Sequence, residues 1–248
     1  EKDFISSLMG VIHETGHARY EQGLPAAWLG QPAGEARSMG IHESQSLFFE
    51  MQLARHPAFL ERLSPLIKQH FGDQPAFDAE NLIQLYSRVE PGFIRVDADE
   101  LTYPAHIILR FEIEQALIEG KIQVHDLPEV WNNKMQQYLG LSTRGNDAIG
   151  CMQDIHWTDG SFGYFPSYTL GALYAAQFAA AIERDVGNIG ELIASKDGLP
   201  QIFNWLKANV WQKASLLSTE ELICQATGES LNTQFFRHYL EQRYTSSL

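Results

Sequence analysis

The sequence predicts a mostly α fold with at most a small β element. Apolar residues recur at spacings of three and four along most of the chain, as in helices with one buried face. Residues 167–184 (SYTLGALYAAQFAAAIER) are apolar on most faces, which marks a helix buried all round. The one stretch of β character, FIRVD at 93–97, is too short to anchor a large sheet.

The elements follow in order. A helix is expected over 4–23, broken by Gly23 and Pro25. Ala26 to Ala36 is rich in Gly, Pro and Ala and reads as a loop. Helical spacing resumes from about Ser38 to Arg55, and Pro57 marks a boundary. Further helices are expected at 58–70, 78–89, 102–119 and 126–139. Residues 140–165 are irregular and rich in Gly and aromatics, and the apolar helix at 167–184 follows. The tail gives helices near 188–195, 199–209, 219–226 and 230–244. With no internal repeat and no interdomain linker, 1–248 reads as a single helical catalytic domain.

Composition excludes several function classes. Asp and Glu total 31 against 18 Lys and Arg, a net charge of −13, so no basic stripe exists to neutralise a nucleic-acid backbone. No apolar run approaches the ~18 residues that cross a bilayer. The beginning of the sequence, EKDFISSLMG, lacks the basic and apolar regions of a secretory leader. Cys151 and Cys224 form no CxxC and are expected to be reduced and buried, in keeping with a cytoplasmic address.

The strongest chemical signal lies at 13–17, where His13-Glu14-Thr15-Gly16-His17 forms HExxH. On a helix, positions i and i+4 share a face, so two imidazoles can close on one ion. Glu14 sits at the edge of that face, within reach of a metal-bound water. About 0.03 chance occurrences are expected at this composition. Gly16 inside the motif costs ~1 kcal/mol of helix stability against Ala and points to close packing. A catalytic zinc needs a third protein ligand, and ARYEQGLP after His17 supplies none in the HxxGxxH pattern. Glu35, His42, Glu43 and Glu50 are the candidates, and spacing alone does not choose between His42 and Glu43.

IHESQS at 41–46, together with this HExxH, resembles the Taq metallocarboxypeptidase family, zinc-dependent exopeptidases with an almost wholly helical, zincin-like fold. Three more stretches match in order: IRVDADE at 94–100 resembles IRxxADE, GCMQDIHW at 150–157 resembles GxxQDxHW, and GYFPSY at 163–168 resembles a GYFP-aromatic segment. The resemblance implies that His13, His17 and Glu43 ligate Zn2+ and that Glu14 is the catalytic base. Cobalt or manganese is accepted by the same donor set. It also implies a peptide substrate and a homodimer. Two family motifs upstream of HExxH, an HPF and a DxRxT, are not in this sequence. The chain is therefore expected to be the C-terminal half of such an enzyme, with part of the cleft missing.

Removing a C-terminal residue requires a cation for the terminal carboxylate, and Arg pairs it best through its fixed fork of donors. Arg95 is the first candidate; its alternative is an ion pair with Asp97, Asp99 or Glu100. Asp99 and Glu100 are candidates for orienting a ligand or Arg95. His156 is a candidate for contact with substrate or oxyanion, and Tyr164 and Tyr168 flank the rigid Phe165-Pro166 as cleft-lining phenols. His42, His106 and Arg144 are weaker candidates. The function expected is a metallocarboxypeptidase acting on short peptides, with Glu14 activating a zinc-bound water. The alternative is a helical fragment that folds, and binds zinc or dimerises, without turnover.

Overall fold

The computed structural model describes residues 4–245. Its helices are α1 Phe4–Gly23, α2 Met39–Leu47, α3 Pro57–Phe71, α4 Ala79–Tyr86, α5 Tyr103–Ile118, α6 Leu127–Leu139, α7 His156–Asp159, α8 Pro166–Asp185, α9 Ile189–Ala194, α10 Gly198–Asn209, α11 Thr219–Thr227 and α12 Gln234–Thr245. No strand occurs among the described residues, and no helix among them is long and apolar enough to cross a membrane.

Local chemistry sets the ends. Pro57 opens α3, where the orphan first-turn amide is not missed, and His56 Nδ1 accepts from the Ala58 amide at 3.1 Å. Ser218 and Glu221 form a reciprocal capping box at the start of α11. Gly140 stops α6 with φ +71°.

Two elements and the burial of the cysteines differ from expectation. FIRVD contains no strand: Arg95–Asp97 is a 3-10 turn, and the Arg95 amide donates to Gln153 Oε1 at 2.9 Å instead of to a ladder. A lone extended segment has no partner for its backbone, so the polar Gln supplies one. The helix expected over 38–55 changes pitch at Phe48–Ala54, which is a π-helix closed by the Arg55 amide on the Glu50 carbonyl at 3.1 Å. Cys151 and Cys224 are free thiols, but half-buried.

The chain divides into two compact units, Glu1–Ser87 with Leu170–Leu248, and Arg88–Thr169. In the first, α8 supplies the centre of the core, as its all-round apolar pattern requires. Phe178 and Ile182 are fully buried, against Ile202, Leu206 and Trp211. Burying each such side chain contributes ~1.5–3 kcal/mol. Trp211 Nε1 donates to Gln45 Oε1 at 2.8 Å, so the same core holds α2. The second unit is built on Leu109, Ile113, Trp131 and Met135 of α5 and α6.

Candidate metal centre

Helix α1 carries His13, Glu14 and His17, and ligand atoms of all three lie within 4.8 Å of one another. Helix α2 brings Glu43 opposite. Its Oε2 lies 3.7 Å from His13 Nε2 and 3.8 Å from His17 Nε2. Two atoms that both ligate a tetrahedral ion at ~2.0–2.2 Å stand ~3.4 Å apart, so Glu43 Oε2 needs to close on each imidazole by only tenths of an ångström. Two imidazole nitrogens and one carboxylate oxygen are a fitting donor set for zinc, cobalt or manganese.

The helices approach this closely because two glycines allow it. A Cβ at Gly16 would strike the Gln45 carbonyl and lie 2.6 Å from Ser46 Cα. A Cβ at Gly171, on α8, would lie 2.6 Å from Glu43 Cβ. Glu43 is thus gripped from behind by α8, and Ser46 Oγ donates to its Oε2 at 3.2 Å.

Each histidine is held from its far nitrogen. His13 Nδ1 donates to Glu50 Oε2 at 2.9 Å, and Arg55 in turn donates to Glu50. Glu50 therefore orients His13 from the π-helical turn, and His13 Nε2 is left facing Glu43. His17 Nδ1 meets His42 Nδ1 at 2.6 Å, and His42 Nε2 meets Glu21 Oε1 at 2.8 Å. Burial and the neighbouring His13 and His42 lower the His17 pKa to about 4, which keeps it neutral, the form in which an imidazole can ligate a metal. Burial alone would depress His13 too, but the hydrogen bond and charge of Glu50, with Glu43 and Glu14, raise it. Burial opposes ionisation of Glu50, and the His13 hydrogen bond and Arg55 outweigh it. Glu14 is exposed, on a strip of α1 shared with Gly10, Val11 and Thr15.

In the second unit the structure gathers Arg95, His156, Tyr164 and Tyr168. Arg95 is buried, with Nε donating to Asp154 Oδ1 at 2.9 Å and Nη1 to Tyr103 Oη at 2.8 Å. Its guanidinium lies 4.7 Å from the centre of the Tyr168 ring. His156 Nε2 is 3.0 Å from Tyr168 Oη, and its ring packs on Phe165 and Tyr164. Asp154 also accepts from Arg110 Nε at 2.6 Å; against its burial, Arg110 and Arg95 hold its pKa below the usual carboxylate value. Arg95 therefore pairs with Asp154, while Asp99 accepts from the Thr102, Leu101 and Glu90 amides.

Several groups were not singled out from sequence. Glu21 follows His17 by four residues on α1, which was the available signal. Glu114 accepts from Trp157 Nε1 at 2.8 Å and from the Gly163 amide at 2.6 Å, and so ties QDIHW to GYFP. Nothing local in the sequence marks Arg110 or Glu114, which lie on an ordinary apolar helix.

The Carboxypeptidase Taq (M32) metallopeptidase family matches residues 1–244. Carboxypeptidase 1 of Bacillus subtilis is 41% identical over 99% of this chain and 49% of its own length. Thermostable carboxypeptidase 1 of Thermus thermophilus is 40% identical over 99% of this chain and 48% of its own. The solved structure of Trypanosoma cruzi metallocarboxypeptidase 1 superposes with a TM-score of 0.93 at 51% identity, covering 98% of this chain and 50% of that one. The chain spans about half the length of the curated relatives it matches, and corresponds to their C-terminal half. On this match across nearly all of its residues, with the all-α zincin-like fold of those structures, the chain belongs to the Carboxypeptidase Taq (M32) metallopeptidase family.

Proposed function

We propose that the chain is the catalytic half of a zinc-dependent metallocarboxypeptidase that hydrolyses the C-terminal peptide bond of short peptides. The observation that carries this reading is the approach of His13 Nε2 and His17 Nε2 to Glu43 Oε2, at 3.7 and 3.8 Å, beside Glu14. His13, His17 and Glu43 would hold the ion. Zinc, when bound, supplies a Lewis-acid charge that acidifies water and polarises the scissile carbonyl. The Glu14 carboxylate takes the proton of the attacking water and returns it to the leaving amine. Arg95 pairs the terminal carboxylate of the peptide, with its fork oriented by Asp154 and Tyr103. His156, Tyr164 and Tyr168 contact the substrate, their hydroxyl and imidazole groups serving as donors. The reading extends to a cytoplasmic homodimer, on the family resemblance for the dimer and on the two free thiols for the compartment.

A second reading, binding of metal without turnover, is favoured by the chain's span of about half its relatives. Metal content by elemental mass spectrometry, before and after a zinc soak and dialysis, tests the site. About one zinc per chain, lost in His13→Ala, is expected. Hydrolysis of an N-blocked dipeptide, abolished by C-terminal amidation, separates the carboxypeptidase from other peptidases. Zinc uptake with no hydrolysis selects the second reading.

A further inference from the structure

We propose that Glu21, acting through His42, is a positioning residue that fixes the tautomer of His17 and leaves its Nε2 lone pair facing Glu43. The consequence for metal binding rests on the reading of His13, His17 and Glu43 as ligands.

The argument is a count of protons along one line of atoms. Glu21 Oε1 lies 2.8 Å from His42 Nε2, and an ionised carboxylate only accepts. His42 Nε2 therefore carries a hydrogen, and in the neutral ring Nδ1 is then bare. His42 Nδ1 lies 2.6 Å from His17 Nδ1, and that contact holds one proton. With His42 Nδ1 accepting, the proton belongs to His17 Nδ1, and His17 Nε2 is left as a lone pair 3.8 Å from Glu43 Oε2. The rings are placed for this: His17 and His42 lie 4.6 Å apart at their centres, and the buried Tyr20 packs its edge on His42 at 5.3 Å.

The two histidines of the motif are therefore set by different devices. His13 donates straight to a carboxylate, Glu50, which is itself tied to Arg55. His17 reaches its carboxylate through a second imidazole, and the Glu21 side chain at the far end is 55% exposed. Its replacement thus changes the line of protons without opening a cavity.

Two measurements test this. Long-range nitrogen–proton correlation NMR of the metal-free chain, at mildly alkaline pH, reports each imidazole tautomer without any metal. His17 is expected as the Nδ1–H form in the parent chain and as a mixture in Glu21→Ala. Zinc competition against a chelator reports the consequence: Glu21→Ala and His42→Leu weaken zinc binding ~10–100-fold. His42→Asn, whose amide oxygen can stand near Nδ1, recovers most of the loss. An Nε2–H form of His17 in the parent chain overturns the proposal. So does an unchanged tautomer and zinc affinity in Glu21→Ala, or a His42→Asn chain as weak as His42→Leu. If the parent chain shows the expected tautomer but takes up no zinc, the ligand reading fails and the relay stands. The unfolding midpoint of metal-free Glu21→Ala, expected to match the parent, separates these effects from a folding defect.

Discussion

Gly171 of α8 packs so closely on Glu43 of α2 that no room is left between them for a Cβ on the glycine. An added methyl would lie 2.6 Å from Glu43 Cβ and 2.9 Å from the Glu43 carbonyl carbon. Neither neighbour is the far end of a flexible chain, so the helices would have to part. Gly→Ala inside a helix ordinarily gains ~1 kcal/mol. Here Gly171→Ala is expected to destabilise by about 1–3 kcal/mol through overpacking. It should also displace Glu43 and weaken zinc binding ~10-fold or more, as loss of ligand positioning does. Chemical unfolding and chelator competition measure the two effects, and a stabilised variant with parental affinity would remove Gly171 from the site.

Asp154 is the shared anion of the second unit, accepting from both Arg95 and Arg110. Asp154→Ala leaves two buried guanidiniums without their counter-charge and is expected to cost ~3–5 kcal/mol. Arg95→Lys keeps the charge but loses the fork that reaches Asp154 and Tyr103 together. In the proposed enzyme it should raise KM for an N-blocked dipeptide ~10-fold or more with zinc content unchanged. A change confined to stability would leave Arg95 as a structural cation.

His106 gives the fold a pH dependence. It is fully buried, and Arg110 Nη1 donates to its carbonyl at 2.9 Å while lying 3.4 Å from its Nδ1. Burial and the Arg110 charge lower its pKa to about 4. Between that value and 6.5 the unfolded chain holds a proton here that the folded chain does not, so stability rises with pH across this window. The contribution is present above about pH 6.5 and is lost as pH falls toward 4, by up to ~3 kcal/mol. Urea unfolding from pH 4 to 7 should show this slope, and His106→Gln should remove the His106 share of it, leaving the share of His17, whose pKa is lowered to the same value.

Legibility in the sequence followed the range of the interaction. Helix α1 was readable because Gly23 and Pro25 end it locally, and α8 because apolar residues on most faces have one physical meaning. HExxH was readable because both its imidazoles sit on one helix turn. The candidate third ligand is not settled by spacing: His42 and Glu43 adjoin, and only the rotation of α2 puts Glu43 toward Nε2 and His42 toward Nδ1 of His17. Glu50 had been a candidate ligand; the geometry gives it the opposite nitrogen of His13, from a π-helical turn that no local pattern announces. Sequence did not point to the partner of Arg95 because Asp154 is 59 residues away, whereas of the nearby acids Asp99 accepts from the Thr102 amide and Asp97 is exposed.

Glu14 offers the sharpest division between binding and chemistry. Its carboxylate stands among the donor atoms of His13 and His17, yet its side chain lies on the exposed strip of α1, away from the grip that α8 exerts on Glu43. A base must exchange protons with water, and that exposure suits it; a ligand needs fixed geometry, which Glu43 has. Glu14→Gln keeps the shape and the acceptor oxygen but cannot take up a proton. Zinc content and chelator competition should therefore match the parent, while hydrolysis of an N-blocked dipeptide falls ~10²–10⁴-fold. In a Glu43→Gln chain the order reverses, with zinc lost first and hydrolysis following in proportion to occupancy. If Glu14→Gln sheds its zinc as Glu43→Gln does, Glu14 is a ligand and the proton acceptor lies elsewhere.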